Sequence, residues 1–288
     1  MSAARRLIVN ADDFGRSHSI NEAVVRAHRE GVLTSASLMM NEPDCDEAVA
    51  LARENPKLGV GLHLTLLCGR AALSCEKIPG LVNERGEFGD KPVATGFRYF
   101  WGAHAPRVQR ESPRFALPLR GQLRAEIHAQ FEKFRATGLP LDHVNGHLHL
   151  HLHPTVFRIL MEDADKLDIR RLRWTRDRFW LNARLASGRW LYRVSGAVIY
   201  RCLSSHARRH LERRGIRHAG ATFGLLQDSR VDEVFVLKLL SCLPAGDSEL
   251  YSHPSLDKFR HEFEALISPR VKERVNQLGI RLIRYQDL

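Results

Sequence analysis

Thirteen residues near the middle of the chain, Asp142 to Pro154, hold five of its fifteen histidines. From His147 the histidines alternate with leucine, and on an extended strand that places His147, His149, His151 and His153 on one face and the leucines on the other. An apolar core accepts leucine, but not four neighbouring imidazoles unless metal, carboxylate or substrate satisfies their nitrogens. A polar strand face open to water is the plain alternative. Histidine is the commonest metal ligand, which favours a metal site completed from elsewhere in the chain. The candidates are the adjacent carboxylates of Asn10-Ala11-Asp12-Asp13-Phe14-Gly15, the imidazole of Gly61-Leu62-His63, and His253 of His253-Pro254. Together they offer carboxylates and imidazoles suited to a divalent ion. Two histidines and one aspartate would leave positions open for water and substrate, as metal-assisted hydrolysis requires. Singly each signal is weak, because an aspartate pair after a strand is more often a turn.

The surrounding elements must bring these groups together. Leu7 to Asn10 reads as a short buried strand running into the Asp12-Asp13 turn. A helix follows, with Ser19 as N-cap, Glu22 completing a capping box and Gly31 at its end. Ser35–Asn41 reads as a strand and Asp44–Glu54 as a helix stopped before Pro56. Leu58–Leu66 is a strand of period two that sets His63 on the face opposite Leu62 and Leu64. From Leu67 to about Pro118 the pattern breaks down into an irregular excursion, of a length typical of functional loops. Helical spacing resumes from Leu123 to Gly138 and leads into the histidine strand, after which Pro154 opens a helix to about Lys166. Strands at Ile169–Trp174, Ala221–Leu226, Glu249–Ser252 and Ile280–Tyr285, with helices over about Val231–Leu243 and Asp257–Gln277, complete the chain. Roughly eight strands alternating with helices predict one domain over residues 1–288, an α/β fold built as an irregular (β/α) TIM-like barrel. In such a barrel catalytic groups collect at the C-terminal strand ends, where Asp12, Asp13, His63, His147 and His253 all fall.

Composition narrows the class further. With 44% hydrophobic residues, a sizeable core is expected and global disorder is not. The five cysteines are odd in number and contain no C-x-x-C pair, which predicts reduced thiols in a cytoplasmic protein. Met1 to Arg6 runs into a strand-like segment without a signal-peptide core. The net charge of +11 is concentrated in one place: Arg170 to Arg217 holds 14 arginines, no lysine and two acids, Asp177 and Glu212. That segment carries +12 and leaves −1 for all other residues. It interleaves arginine with Trp180, Trp190, Leu191, Val198 and Ile199, although its longest charge-free run, Val194–Tyr200, is too short to span a bilayer. Arginine beside tryptophan and leucine suits an anionic membrane surface. Nucleic acid and an ordinary solvated helix pair are the alternatives.

The motifs Asn10-Ala11-Asp12-Asp13-Phe14-Gly15, Gly61-Leu62-His63, Gly146-His147-Leu148-His149-Leu150-His151 and His253-Pro254, in that order, resemble those of the YdjC-like carbohydrate deacetylases. The similarity runs from Leu7 to Arg284-Tyr285-Gln286-Asp287. The resemblance implies an irregular β/α barrel, a divalent metal (magnesium or zinc), and removal of acetyl groups from N-acetylated amino sugars. Carried over by motif, Asp13, His63 and His147 match the metal ligands, Asp12 the general base, and His253 a histidine acting as acid or electrostatic partner. His149 and His151 are then expected at the substrate. Where the family commonly has Asp-Ser-His, this chain has Asn145-Gly146-His147, which alters the groups that orient the ligands. The Val144-Asn145-Gly146-His147 to Pro154 run is similar to that of the hopanoid-biosynthesis-associated members, which implies an N-acetylglucosaminyl group on a membrane-resident polycyclic lipid.

The leading expectation is a metal-dependent N-deacetylase, peripheral on the cytoplasmic side of the inner membrane. Its expected partners are an acetamido sugar, lipid-linked in the sharper reading, an anionic membrane met through Arg170–Arg217, and a second copy as a homodimer; nucleic acid is not expected. The alternatives are a soluble chitooligosaccharide deacetylase, a metal phosphoesterase, and a non-catalytic basic lipid- or nucleic-acid-binding protein. Phosphoesterase barrels usually open with a His-x-His strand, whereas this chain opens with Asp-Asp.

Overall fold

The computed structural model describes residues 4–104, 117–185, 190–227 and 229–288. At its centre lies β1 (Arg5–Phe14), buried along most of its length. On one edge its last residues pair in parallel with β2 (Ser35–Leu38), followed by β3 (Gly59–Leu64) and β4 (Val144–Gly146). The other edge takes β6 (Gly246–Ser252) and then β5 (Ala221–Phe223), while β7 (Arg281–Leu282) pairs with the start of β1. The seven strands form a curled parallel sheet, six of them in the order β4-β3-β2-β1-β6-β5 and β7 off that path beside β1, a single-domain TIM-like (β/α) barrel. The strand expected at Ile169–Trp174 does not form. Instead, residues 170–176 close the gap between β4 and β5 through single bridges, Val144 with Leu172 and Arg171 with Arg217, and through the Thr222 N–H on the Arg176 carbonyl. Arg170, Arg171, Arg173 and Arg176 break up the apolar run there, and the side chains of Arg171 and Arg173 are drawn into separate contacts with the Asp142 carbonyl and with Asp12.

Strand alternation gives the barrel its inner and outer faces. Leu7, Val9 and Ala11 join the main apolar core, whereas Ile8 packs with Ile283 and Tyr285. Asn10 and Asp12 continue along the Ile8 face, so an apolar base lies below a polar layer.

Helices α1 (His18–Glu30), α2 (Cys45–Glu54), α3 (Pro92–His104), α4 (Leu119–Ala136) and α5 (Pro154–Glu162) cover the first half. The second half has α6 (Phe179–Leu185), α7 (Trp190–Arg213), α8 (Glu233–Ser241), α9 (Arg260–Ile267) and α10 (Pro269–Gln277). Several boundaries differ from expectation. The N-cap of α1 is Ser17, whose hydroxyl accepts from the Ile20 N–H; Ser19 accepts from the Leu256 N–H instead. The expected excursion contains α3, and its start is folded by antiparallel bridges between Arg70 and Glu87 and between Val82 and Phe88. Residues 105–116 of it lie outside the described residues, as do 186–189 of the arginine-rich segment. The helix expected over Asp257–Gln277 is broken at Ser268, which caps α10 ahead of Pro269. All five cysteines are free thiols.

A candidate metal and catalytic centre

Adjacent residues on a strand face opposite ways, so Asp12 and Asp13 can serve one site only if the strand is broken between them. It is: the β1–β2 register slips between Ala11 and Phe14, and Asp13 takes a left-handed φ of 65°. The turn continues through Gly15 at φ 92°, where a Cβ would lie 3.0 Å from Leu38 and 3.1 Å from the Met39 carbonyl oxygen. Asp13 Oδ1 then lies 3.0 Å from His147 Nδ1 and 3.3 Å from His63 Nε2. One potential ligand atom from each of Asp13, His63 and His147 falls within 4.8 Å of the other two.

His63 is prepared for this geometry. Its Nδ1 is 2.7 Å from Asn145 Oδ1, while Asn145 Nδ2 donates to Ser37 Oγ and, at 3.2 Å, to Asp12 Oδ1. An Nδ1–H directed at the amide oxygen leaves the Nε2 lone pair facing Asp13, and that nitrogen is buried without a hydrogen-bond partner. Asn145 thus supplies the oxygen that sets the His63 tautomer. Gly61 makes room behind it, since a Cβ there would come within 2.5 Å of the His143 ring. Burial alone would lower the pKa of His63, but the charge of Asp12 and the Asp13 carboxylate turn the net direction upward. Asp13 is held well below the usual carboxylate range, with its own burial outweighed by His147 and His63. Both shifts express a demand for positive charge at the same point, which Arg16 meets in part by donating to Asp13 Oδ2 at 3.0 Å. An orphaned imidazole nitrogen, two imidazoles and one carboxylate fit a divalent ion.

Beside this cluster lies a residue that the sequence reading missed. Arg173 is fully buried and grips Asp12 bidentately, with its two terminal nitrogens 2.6 and 2.9 Å from Oδ2 and Oδ1. Its Nε donates to Glu249 Oε1 at 2.8 Å, and its guanidinium stacks on Tyr251, 4.5 Å from the ring centroid. Burial would raise the pKa of Asp12, but Arg173 and His63 hold it far below the ordinary value. Oδ1 receives bonds from Arg173, Asn10 and Asn145, whereas Oδ2 receives one, from Arg173. One lone pair of Oδ2 therefore stays open. The available signal was an arginine within the buried sequence Leu172-Arg173-Trp174, where an unpaired charge would be prohibitive.

The histidine run is not a strand. After β4 the chain turns through a 3-10 segment, His147–Leu152, with Leu148 and His149 at φ 51° and 58°. The imidazoles consequently disperse. His147 joins Asp13, and His149 Nε2 reaches the Tyr251 hydroxyl at 2.9 Å while its ring meets Tyr200 edge-on. His151 is fully buried with Nε2 3.1 Å from the Arg173 carbonyl oxygen, and His153 Nε2 lies 3.0 Å from the Gly96 carbonyl oxygen. Burial and the Arg173 charge keep His149 and His151 neutral, with His151 pushed down to about 3. His253 follows β6, half-buried, with Nδ1 4.0 Å from Glu262 Oε2 and its ring 5.8 Å from that of Tyr251. Its charge acts on Asp12 and Asp13 alike.

The sequence profile of the family described as YdjC-like protein matches residues 6–277. The chain belongs to the YdjC-like family. It is 39% identical over 174 residues to a carbohydrate deacetylase of Geobacillus stearothermophilus, covering 60% of this chain and 62% of that one. It is 35% identical over 164 residues to a chitooligosaccharide deacetylase of Proteus mirabilis, covering 57% and 56%. The chain thus spans about 60% of the length of these curated relatives. Among solved structures, the fold is similar to an Enterococcus faecalis V583 protein described as a candidate cellobiose-phosphate cleavage protein, with a TM-score of 0.73, 23% identity and 99% of both chains covered. That likeness supports the barrel alone. The YdjC-like barrel places Asp12, Asp13, His63, His147 and His253 around its C-terminal end, with Arg173 as the cation that holds Asp12.

Proposed function

We propose that this YdjC-like protein is a metal-dependent N-deacetylase of an acetamido sugar, with Asp13, His63 and His147 holding a divalent ion, magnesium or zinc. The observation that carries the reading is the buried, partnerless His63 Nε2 facing Asp13, next to a carboxylate fixed by a buried arginine. An amide is a poor electrophile, and a bound ion supplies the Lewis acidity that polarises its carbonyl and acidifies water. Asp12 Oδ2 takes the proton of the attacking water, with Arg173 fixing that oxygen's direction. Arg173 also holds Asp12 in the ionised form, the form that can accept a proton, while weakening it as a base. The departing nitrogen leaves as an amine only once protonated, and His253 is the donor. Acetate and the free amino sugar are the products. His149, held by Tyr251, offers a substrate contact through Nδ1, and His151 contributes by bracing the backbone of Arg173.

The relatives named as carbohydrate and chitooligosaccharide deacetylases support the sugar amide as substrate class. The finer reading, an N-acetylglucosaminyl group on a polycyclic lipid at the cytoplasmic face of a membrane, is supported by a cavity of about 520 Å³. Phe179, Leu181, Val194, Ala197 and Leu225 line it with apolar surface, and its wall includes Tyr200, the ring that meets His149. The lining also includes Arg176, Asp177, Arg178 and Arg201, but most of its surface is apolar, which suits an apolar aglycone.

Acetate release from soluble and lipid-linked N-acetylglucosaminides tests both levels. The metal-loaded protein is expected to release acetate, the metal-stripped protein and His63→Ala none, and Asp12→Asn roughly 10²–10⁴-fold less. Faster turnover of the lipid-linked sugar would support the finer reading. No release from any acetamido sugar by fully loaded protein would overturn the function.

A further inference from the structure

We propose that the exposed faces of α6 and α7, with α3 across the barrel mouth, form a docking surface for an anionic lipid bilayer. This deepens the lipid-linked reading, but it stands on separate observations. The first half of α7 exposes apolar side chains at spacings that keep them together: Trp190, Leu191, Val198 and Ile199 are 56%, 85%, 58% and 55% exposed. At about 100° per residue these four lie within one half of the helix surface. Trp180 on α6 is 76% exposed and borders the same cavity as Val198. Isolated exposed apolar residues are ordinary, but five large ones on two packed helices are not.

Their position relative to the site is defined by Tyr200, which meets His149 at the catalytic end. Val194, Ala197 and Val198, which precede Tyr200 on α7, line the same apolar cavity as Tyr200. On the other flank, His153 reaches Gly96 of α3, and Val93, Phe97 and Trp101 at i, i+4 and i+8 are 72%, 62% and 65% exposed. Leu148, 46% exposed, lies in the histidine turn between the two flanks.

Charge decides the occupant. Arg178, Arg184 and Arg201 are exposed on or beside α6 and α7 and form no ion pair among the described residues. A second copy meeting this face would bring like charges together, and the aliphatic side chains have no counterpart on a nucleic-acid backbone. An anionic bilayer meets both needs, with phosphates for the guanidinium groups and acyl-chain boundary for tryptophan and leucine. No helix among the described residues is long and apolar enough to cross a membrane, so the contact is interfacial.

The test is co-sedimentation of the metal-loaded full chain with vesicles of phosphatidylcholine alone and of phosphatidylcholine mixed with phosphatidylglycerol. Binding is expected on the anionic vesicles only and to weaken with salt. Trp190→Glu combined with Leu191→Glu should weaken it on the order of tenfold to a hundredfold, and Arg184→Gln several-fold, while acetate release from a soluble acetamido sugar stays unchanged. Unchanged sedimentation of these variants would overturn the proposal. So would equal binding to both vesicle types, a dimer in solution abolished by Leu191→Glu, or duplex DNA displacing the vesicles. Vesicle binding needs no turnover, so an inactive protein that still docks would sink only the deacetylase reading. An active protein that does not dock would sink only this one.

Discussion

The buried guanidinium of Arg173 governs the Asp12 carboxylate more directly than any residue the motifs pointed to. It spans Asp12 and Glu249, and Glu249 is tied in turn to Thr222 and the Tyr285 hydroxyl. Removing it leaves two carboxylates without a cation inside the barrel. We expect Arg173→Met to lose about 3–5 kcal/mol of stability at neutral pH in urea unfolding, with the loss shrinking in acid as the carboxylates protonate. Unaltered stability would mean that water replaces the pair. The candidate ligand residues were legible because their types and motif context are distinctive. The partners that orient them were not. Asn145 was visible only as a departure from the family pattern, and its bond to His63 links positions 82 residues apart in sequence.

Among the elements, the clearest departures come from backbone that periodicity cannot see. Alternating His and Leu satisfies the strand rule, yet two consecutive left-handed residues turn that stretch into a 3-10 segment and send its imidazoles to four different partners. The Asp12-Asp13 bulge is of the same kind. On the far side of the mouth, α6 and α7 are joined by polar contacts: Asn182 Nδ2 donates to Asp177 Oδ2 and Gln227 Oε1, while Arg193 donates to the Asn182 side chain and carbonyl. Burial pushes the Asp177 carboxyl up to about 7. Its folded-state pKa is above the unfolded one, so its contribution to stability is complete below the ordinary carboxylate pKa and is lost as pH rises through about 7. We expect the melting temperature of wild type relative to Asp177→Asn to fall between about pH 4 and pH 7 and to level off above that. A constant difference across that range would count against burial of the ionisable form.

For the whole molecule, the proposed metal site, drawn from three separate strand ends, would couple ion binding to the closed barrel. Anything that binds only the folded state stabilises it, by about 2.7 kcal/mol at a hundredfold excess over Kd. Zinc or magnesium should therefore raise the melting temperature by roughly 5 °C or more, a chelator should reverse the rise, and His63→Ala should abolish it. Asn145→Leu should require about 10–100-fold more metal for the same rise, because Nδ1 of His63 loses the oxygen that sets its tautomer. A melting temperature indifferent to every divalent ion would remove the metal from the reading.

Read alone, the chain determined its architecture and the candidate groups of the site: period-two and period-3.6 patterns are local, and the motifs carrying Asp12, Asp13, His63, His147 and His253 are short. It also determined that a +12 segment exists, since charge is additive along a sequence. Only the tertiary structure decided how that charge is used. Arg173 and Arg193 are buried in hydrogen-bond networks, Arg208 and Arg214 pair with acids, and Arg178, Arg184 and Arg201 remain at the surface. The reason is desolvation: a guanidinium enters the interior only where carboxylates or carbonyls from distant strands meet it, and no local pattern records where those partners arrive.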